Sequence, residues 1–239
     1  MTDRGQIGLA VLLTAVAGWV DAVGYLELGR LFVSFMSGNS TLLAIGLAGV
    51  DRAAIAGAAL SVALYVAGAF LGTLLGDTAG ERWREPAVLG VEALLLGAVA
   101  LLPAGDGRLS PAVVPLLLAM GFQTAGPPPA GAIKVGLTYV TGTLASLGRH
   151  VARAASGRGG RWAWLPYALL WIGLVAGATA GAAADASLGL ASLAAPAACV
   201  AAVASLSAVA SARTSSGGSN GLGTRGAPPS TGSRRSSAS

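Results

Sequence analysis

The sequence predicts an all-α, polytopic helical membrane protein with six to eight hydrophobic segments in two related halves. Three observations carry that reading. Of 239 residues, 54% are apolar and 10% charged, whereas a soluble domain is about 45–50% apolar and about a quarter charged. From Gln6 to Ala212 apolar stretches follow one another with short breaks, and several reach the roughly 20 residues that a bilayer core demands. The 36 glycines and abundant alanines suit packed membrane helices, where small side chains let backbones approach.

Eight apolar segments are expected: residues 6–27, 31–50, 53–77, 86–104, 110–126, 133–148, 163–185 and 187–212. The first begins after Asp3-Arg4 and contains Ala15-Val16-Ala17, which has the pattern of a cleaved leader. More spans follow, so it reads as a first membrane helix. Asp51-Arg52 separates the second and third segments, and Glu81 to Pro86 the third and fourth. Asp106-Gly107-Arg108 and then Pro127-Pro128-Pro129 close the next two, since proline cannot continue a helix. The run from Arg149 to Arg161 is the longest interior loop, with Trp162 and Trp164 beside it as interfacial anchors. Pro196 predicts a kink in the last segment. Residues 1–212 form one integral membrane domain, and residues 213–239 a Ser/Gly/Arg-rich tail that has nothing to bury and is expected to be disordered.

Two halves, about 6–104 and 110–212, resemble each other locally. Gly18-Trp19-Val20-Asp21-Ala22 lines up with Gly121-Phe122-Gln123-Thr124-Ala125. Phe35-Met36-Ser37-Gly38-Asn39-Ser40 lines up, after a one-residue slip, with Tyr139-Val140-Thr141-Gly142-Thr143-Leu144. Gly68 and Gly72 then match Gly177 and Gly181.

The lysines and arginines set orientation. With eight crossings and a cytoplasmic N-terminus, 11 of the 15 Lys/Arg fall inside; if the second and sixth segments dip in and return, 12 do. Charge leaves both topologies open. Either way the Arg149–Arg161 loop and the tail are expected in the cytoplasm. Four crossings per half would make the repeats parallel, and three would make them inverted, as in many secondary transporters.

Composition excludes several functions. One cysteine, Cys199, cannot form an internal disulfide, and one histidine, His150, cannot build a zinc site. The net charge of +5 resides at segment ends and in the tail without interleaved aromatics, so a membrane partner explains it better than nucleic acid. No HExxH or Walker-type motif occurs, so the chain does not read as an enzyme, and no cofactor is implied.

The strongest candidate site is Ser37-Gly38-Asn39-Ser40, polar and glycine-containing in mid-segment, with its partial echo Thr141-Gly142-Thr143. Such groups in hydrocarbon face protein or a water-filled cavity. Gly38 and Gly142 are expected to allow helix breaks whose freed backbone coordinates a solute or ion; alternatively, the hydroxyls and amide only bond neighbouring helices together. Asp21, some fifteen residues into the first segment, is either a cation- or proton-binding carboxylate or a structural hydrogen-bonding group. Gln123 is its uncharged counterpart in the second half. Glu27 is expected to pair with Arg30, and Glu92 to reach toward Arg82 and Arg84.

Ala17-Gly18-Trp19-Val20-Asp21-Ala22-Val23-Gly24-Tyr25, followed by Phe35-Met36-Ser37-Gly38-Asn39, resembles the N-terminal signature of the YoaK-like family of bacterial multi-pass membrane proteins. Met120-Gly121-Phe122-Gln123 and Thr138 to Leu144 resemble its second signature. The resemblance covers residues 8 to 210 and implies a membrane protein of about six helices with a small-molecule permease reading and no established substrate. Departures are Ser37 where the family pattern has Thr, and Thr124 with Pro127-Pro128-Pro129 where it has Asn and a basic residue.

The combined expectation is a small-solute transporter of the plasma membrane. Asp21, Ser37, Gly38, Asn39, Ser40, Gln123, Thr141, Gly142 and Thr143 would form a substrate site between the halves. The expected partners are the lipid bilayer, a small solute or ion, and a second copy of the chain. The rival is a non-transporting assembly or sensor protein whose polar motifs only pack helices.

Overall fold

The computed structural model describes residues 3–103, 110–126 and 140–218. The Asp106-Gly107-Arg108 and Pro127-Pro128-Pro129 breaks, the start of the sixth segment and tail residues 219–239 lie outside the described residues. Those described form helices and their connections: α1 (Asp3–Glu27), α2 (Met36–Gly49), α3 (Arg52–Ala79), α4 (Arg84–Ala100), α5 (Val113–Thr124), α6 (Val140–Ala155), α7 (Leu165–Leu188), a short 3-10 turn (Gly189–Leu193) and α8 (Ala194–Gly218).

Local chemistry sets the boundaries. Asp51 caps α3 by accepting the amides of Ala53 and Ala54 at 3.0 and 3.1 Å, which satisfies two of the donors a helix start leaves unpaired. Pro166 occupies the first turn of α7, where its missing N–H costs nothing. Gly189, at φ 53°, ends α7 in a conformation that side chains resist. Pro196 falls in the first turn of α8 rather than in mid-helix, so the expected kink is replaced by the 3-10 turn before it. Helix α8 runs on to Gly218, past the expected start of the tail.

The second segment departs from expectation. Residues 31–35 are not helical, and α2 begins only at Met36. The break thus lies ahead of Gly38, which sits in the first turn of α2 against the rings of Phe32 and Phe35.

Glycines set the packing. In α7, Gly173, Gly177 and Gly181 face Val11, Ala15 and Trp19 of α1 in turn, so these two helices run parallel. In α3, Gly68 faces Leu118 of α5 and Gly72 faces Phe122, so α3 and α5 are parallel as well. A Cβ added at Gly177 or Gly68 would collide with the carbonyl of Ala15 or Leu118; only glycine permits such closeness. Helix α4 opposes its two neighbours in the antiparallel sense. Ser207 of α8 meets Glu85, and Ser211 meets the Arg82 carbonyl; just past α5, Gly126 lies near Leu89, and on α5 Gln123 meets Glu92.

The core gathers where α1, α4, α5 and α8 meet, around Leu13, Val20, Leu96, Leu116, Met120 and Leu193. Around it large apolar side chains point outward: Phe70 is 65% exposed, Leu94 75% and Ile172 52%. A lipid solvent accepts such a surface and water does not. Three stretches are long and apolar enough to cross a bilayer: Gly5–Glu27, Arg52–Ala79 and Leu165–Arg213. The last holds α7 and α8, and its 49 residues exceed two crossings of about 20.

Candidate functional site

The non-helical segment Leu31–Phe35 carries the local chemistry. Leu31, Val33 and Ser34 are buried, so their backbone groups need internal partners; in a membrane an orphan costs several kcal/mol. Two side chains supply them. Asp21 Oδ1 accepts the amides of Val33 and Ser34, each at 2.8 Å, and its other oxygen accepts the Ser34 hydroxyl. Asn39 pairs with Phe32 at both ends of its amide: Oδ1 accepts the Phe32 N–H at 3.1 Å, and Nδ2 donates to the Phe32 carbonyl at 2.6 Å. Three successive amides are therefore satisfied by the acid and the asparagine.

This pairing folds the segment back along α1. Val33 reaches Gly24, where an added Cβ would lie 2.8 Å from its side chain, and Phe32 packs on Tyr25 with ring centroids 5.0 Å apart. Phe35 meets Phe32 edge-on at 5.3 Å. From there α2 leads to a tight turn at Val50-Asp51 and into α3.

Beside the segment lies a cleft of about 360 Å³, lined by Asp21, Tyr25, Phe32, Ser34 and Phe35, by Gly18 and Ala22 of α1, by Val140 at the start of α6, and by Leu174 and Ala178 of α7. Its wall is largely apolar and aromatic, with one carboxylate held in it by three donors. A carboxylate offers about four lone-pair directions, so Asp21 keeps acceptor capacity after these bonds. Charge of that kind in an apolar wall suits a cation, and aromatic faces nearby suit one too.

The other expected site residues divide. Ser37 and Ser40 are exposed on α2, and the Ser40 hydroxyl bonds back to the Met36 carbonyl at 2.8 Å. Gly38 packs under the aromatic pair, and Asn39 is fully buried behind it. On α6, Thr143 is buried and Thr141 exposed, with Gly142 between them; these follow Val140, by which α6 touches the cleft. Gln123 is not among the residues of the cleft wall. It lies on the other seam, where its Nε2 donates to Glu92 Oε1 at 2.8 Å. Glu92 is 0% exposed and does not reach Arg82 or Arg84. Arg84 pairs instead with Asp77. Glu27 makes no ion pair with Arg30; it sits beside Gly189 and Asp185.

Sequence reasoning missed Ser34, Tyr25 and Phe32 as part of the site. The signal was present in the aromatic spacing of Tyr25, Phe32 and Phe35. It acquires meaning only when the chain reverses between them.

Comparison with known proteins agrees with a membrane location. Residues 9–206 match the family described as Protein of unknown function (DUF1275). The chain is 35% identical over 198 residues to a UPF0700 transmembrane protein of Rhizobium meliloti (strain 1021), covering 80% of this chain and 84% of the relative. It is 30% identical over 144 residues to the UPF0700 transmembrane protein YoaK of Bacillus subtilis (strain 168), covering 58% of this chain and 64% of that protein. No solved structure matches. The apolar outer surface and the transmembrane relatives agree: this is an integral, multi-pass membrane protein in contact with the lipid bilayer.

Proposed function

The chain belongs to the family of transmembrane proteins of unknown function described as DUF1275, and from that premise we propose that it is a small-solute permease of the plasma membrane. The observation that carries the proposal is Asp21, a carboxylate in the wall of an apolar cleft at the point where the chain unwinds. Unwound segments and ionisable groups at membrane depth are the usual parts of a transport site. The cleft favours a small solute with an apolar body and a cationic group. Asp21 would meet the charge, and Tyr25, Phe32 and Phe35 would meet the body. Thr141, Gly142 and Thr143 would border the site from α6.

The helix pairing supports an inverted repeat for the halves about 6–104 and 110–212. Gly18 of α1 presses on Leu174 and Ala178 of α7, and Gly121 of α5 presses on Tyr65 and Ala69 of α3. Those partners stand in the same register as the glycine pairs Gly68/Gly177 and Gly72/Gly181. Helices α4 and α8, the last of each half, meet antiparallel, as an axis in the membrane plane requires. In this reading α2 and α6 enter and leave on one side, giving six crossings with both termini in the cytoplasm.

Uptake of alkylammonium and aromatic ammonium ions into proteoliposomes tests the reading, with sugars and amino acids for comparison. Asp21→Asn and Asn39→Ala should each reduce uptake at least tenfold relative to the parent protein, about 1.4 kcal/mol in transport efficiency. Normal uptake in both removes the site.

One observation favours the non-transporting reading. Asn39 spends both ends of its amide on Phe32, so it acts as a fastener and not as a ligand. If Asn39→Ala lowers only stability, and no solute on the panel is moved by the parent protein, the assembly or sensor reading stands.

A further inference from the structure

We propose that Glu92 and Gln123 form a proton-binding site within the membrane, in the seam of α4, α5 and α8 and separate from the Asp21 cleft. Glu92 is 0% exposed and Gln123 1%. One hydrogen bond joins them, Gln123 Nε2 to Glu92 Oε1 at 2.8 Å. The two remaining oxygens, Glu92 Oε2 and Gln123 Oε1, are buried and have no partner. Cys199 of α8 lies within electrostatic reach of Glu92, and among the described residues no basic side chain is paired with the acid. Leu89 and Leu96, one turn to either side on α4, are fully buried.

A bare carboxylate with one hydrogen bond does not persist in such surroundings without a cation. A single hydron resolves the arrangement. On Glu92 Oε2 it removes the charge and creates a donor, and the unpartnered Gln123 Oε1 is an acceptor on the adjoining amide. The product is an acid–amide pair with two hydrogen bonds. The only bond formed is O–H, and the hydron comes from and returns to water. Exchange with water requires α4 and α5 to part at this level, so loading is tied to the packing of that seam.

Infrared difference spectroscopy of the full chain in lipid nanodiscs tests this without any transported solute, and so independently of the permease reading. The parent protein at neutral pH should show a carboxylic-acid carbonyl band that shifts on deuterium exchange. Glu92→Gln should abolish that band and Asp21→Asn should leave it. Gln123→Leu keeps the acid but removes its partner, so the band should remain and move to higher frequency. This second variant decides the matter where Glu92→Gln fails to fold. A band absent from the parent protein, unaffected by Glu92→Gln, or unmoved by Gln123→Leu overturns the proposal.

Discussion

Asn39 holds Phe32 as a β-strand neighbour would, taking its N–H at 3.1 Å and giving to its carbonyl at 2.6 Å. A side-chain amide thus replaces the helical partners that Phe32 loses when the chain unwinds. Asn39→Leu should strand both Phe32 groups, at a cost of about 1–3 kcal/mol for each. Thermal unfolding in detergent should show a clear drop in midpoint. An unchanged midpoint would mean that the Phe32 groups find other partners.

Asp21 serves two amides through one oxygen and a hydroxyl through the other. Asp21→Asn keeps a carbonyl oxygen for Val33 and Ser34, and its amide nitrogen donates to the Ser34 hydroxyl oxygen in place of the present bond. Asp21→Leu leaves two buried amides without partners. The leucine variant should therefore lose about 1–3 kcal/mol more than the asparagine variant. Equal melting of the two would contradict the assignment of both amides to this carboxylate.

Glycine contacts separate packing positions from open ones. Gly177→Ala and Gly121→Ala would push a methyl into the carbonyls of Ala15 and Tyr65 and should each destabilise by about 1–3 kcal/mol. Gly90 has nothing within 4 Å of an added Cβ, so Gly90→Ala should be neutral or stabilise by up to about 1 kcal/mol through helix propensity. Denaturation of the three variants in one detergent compares them directly.

The α2–α3 turn offers a gain and a loss. Val50 ends α2 at φ 54° and ψ 32°, a left-handed conformation that a β-branched residue resists. Val50→Gly should stabilise by about 1 kcal/mol. Next to it, Asp51→Ala removes the cap of α3 and should cost about 0.5–2 kcal/mol, with Asp51→Ser restoring most of it. Opposite shifts in midpoint from adjacent residues would confirm both roles.

Much of the fold was legible because lipid imposes simple demands. Apolar runs of sufficient length mark helices such as α1, α3 and α7, and breaks at Asp51 and Pro86 mark ends, since a capping acid or a proline acts within one turn. The glycines at 68, 72, 177 and 181 advertised close contact. The break before Met36 was harder to place. Local pattern favours helix through 31–35, and unwinding there is stabilised by Asp21, more than ten residues away in the chain. Glu92 was read against its own helix and Gln123 against its place in the repeat, whereas their bond joins residues 31 apart.

From composition and spacing alone follow the membrane, the helices and the polar stations within them, because burying backbone in hydrocarbon allows few solutions. Which station meets which is a property of the packed chain. Reversal at Leu31–Phe35 turns Asp21 and Asn39 into partners of one segment, and close α4–α5 contact moves Gln123 to Glu92. Hydrogen bonds between side chains distant in sequence form only after helices have chosen their neighbours; between α1 and α7, and between α3 and α5, that choice rests on glycines small enough to let two backbones touch.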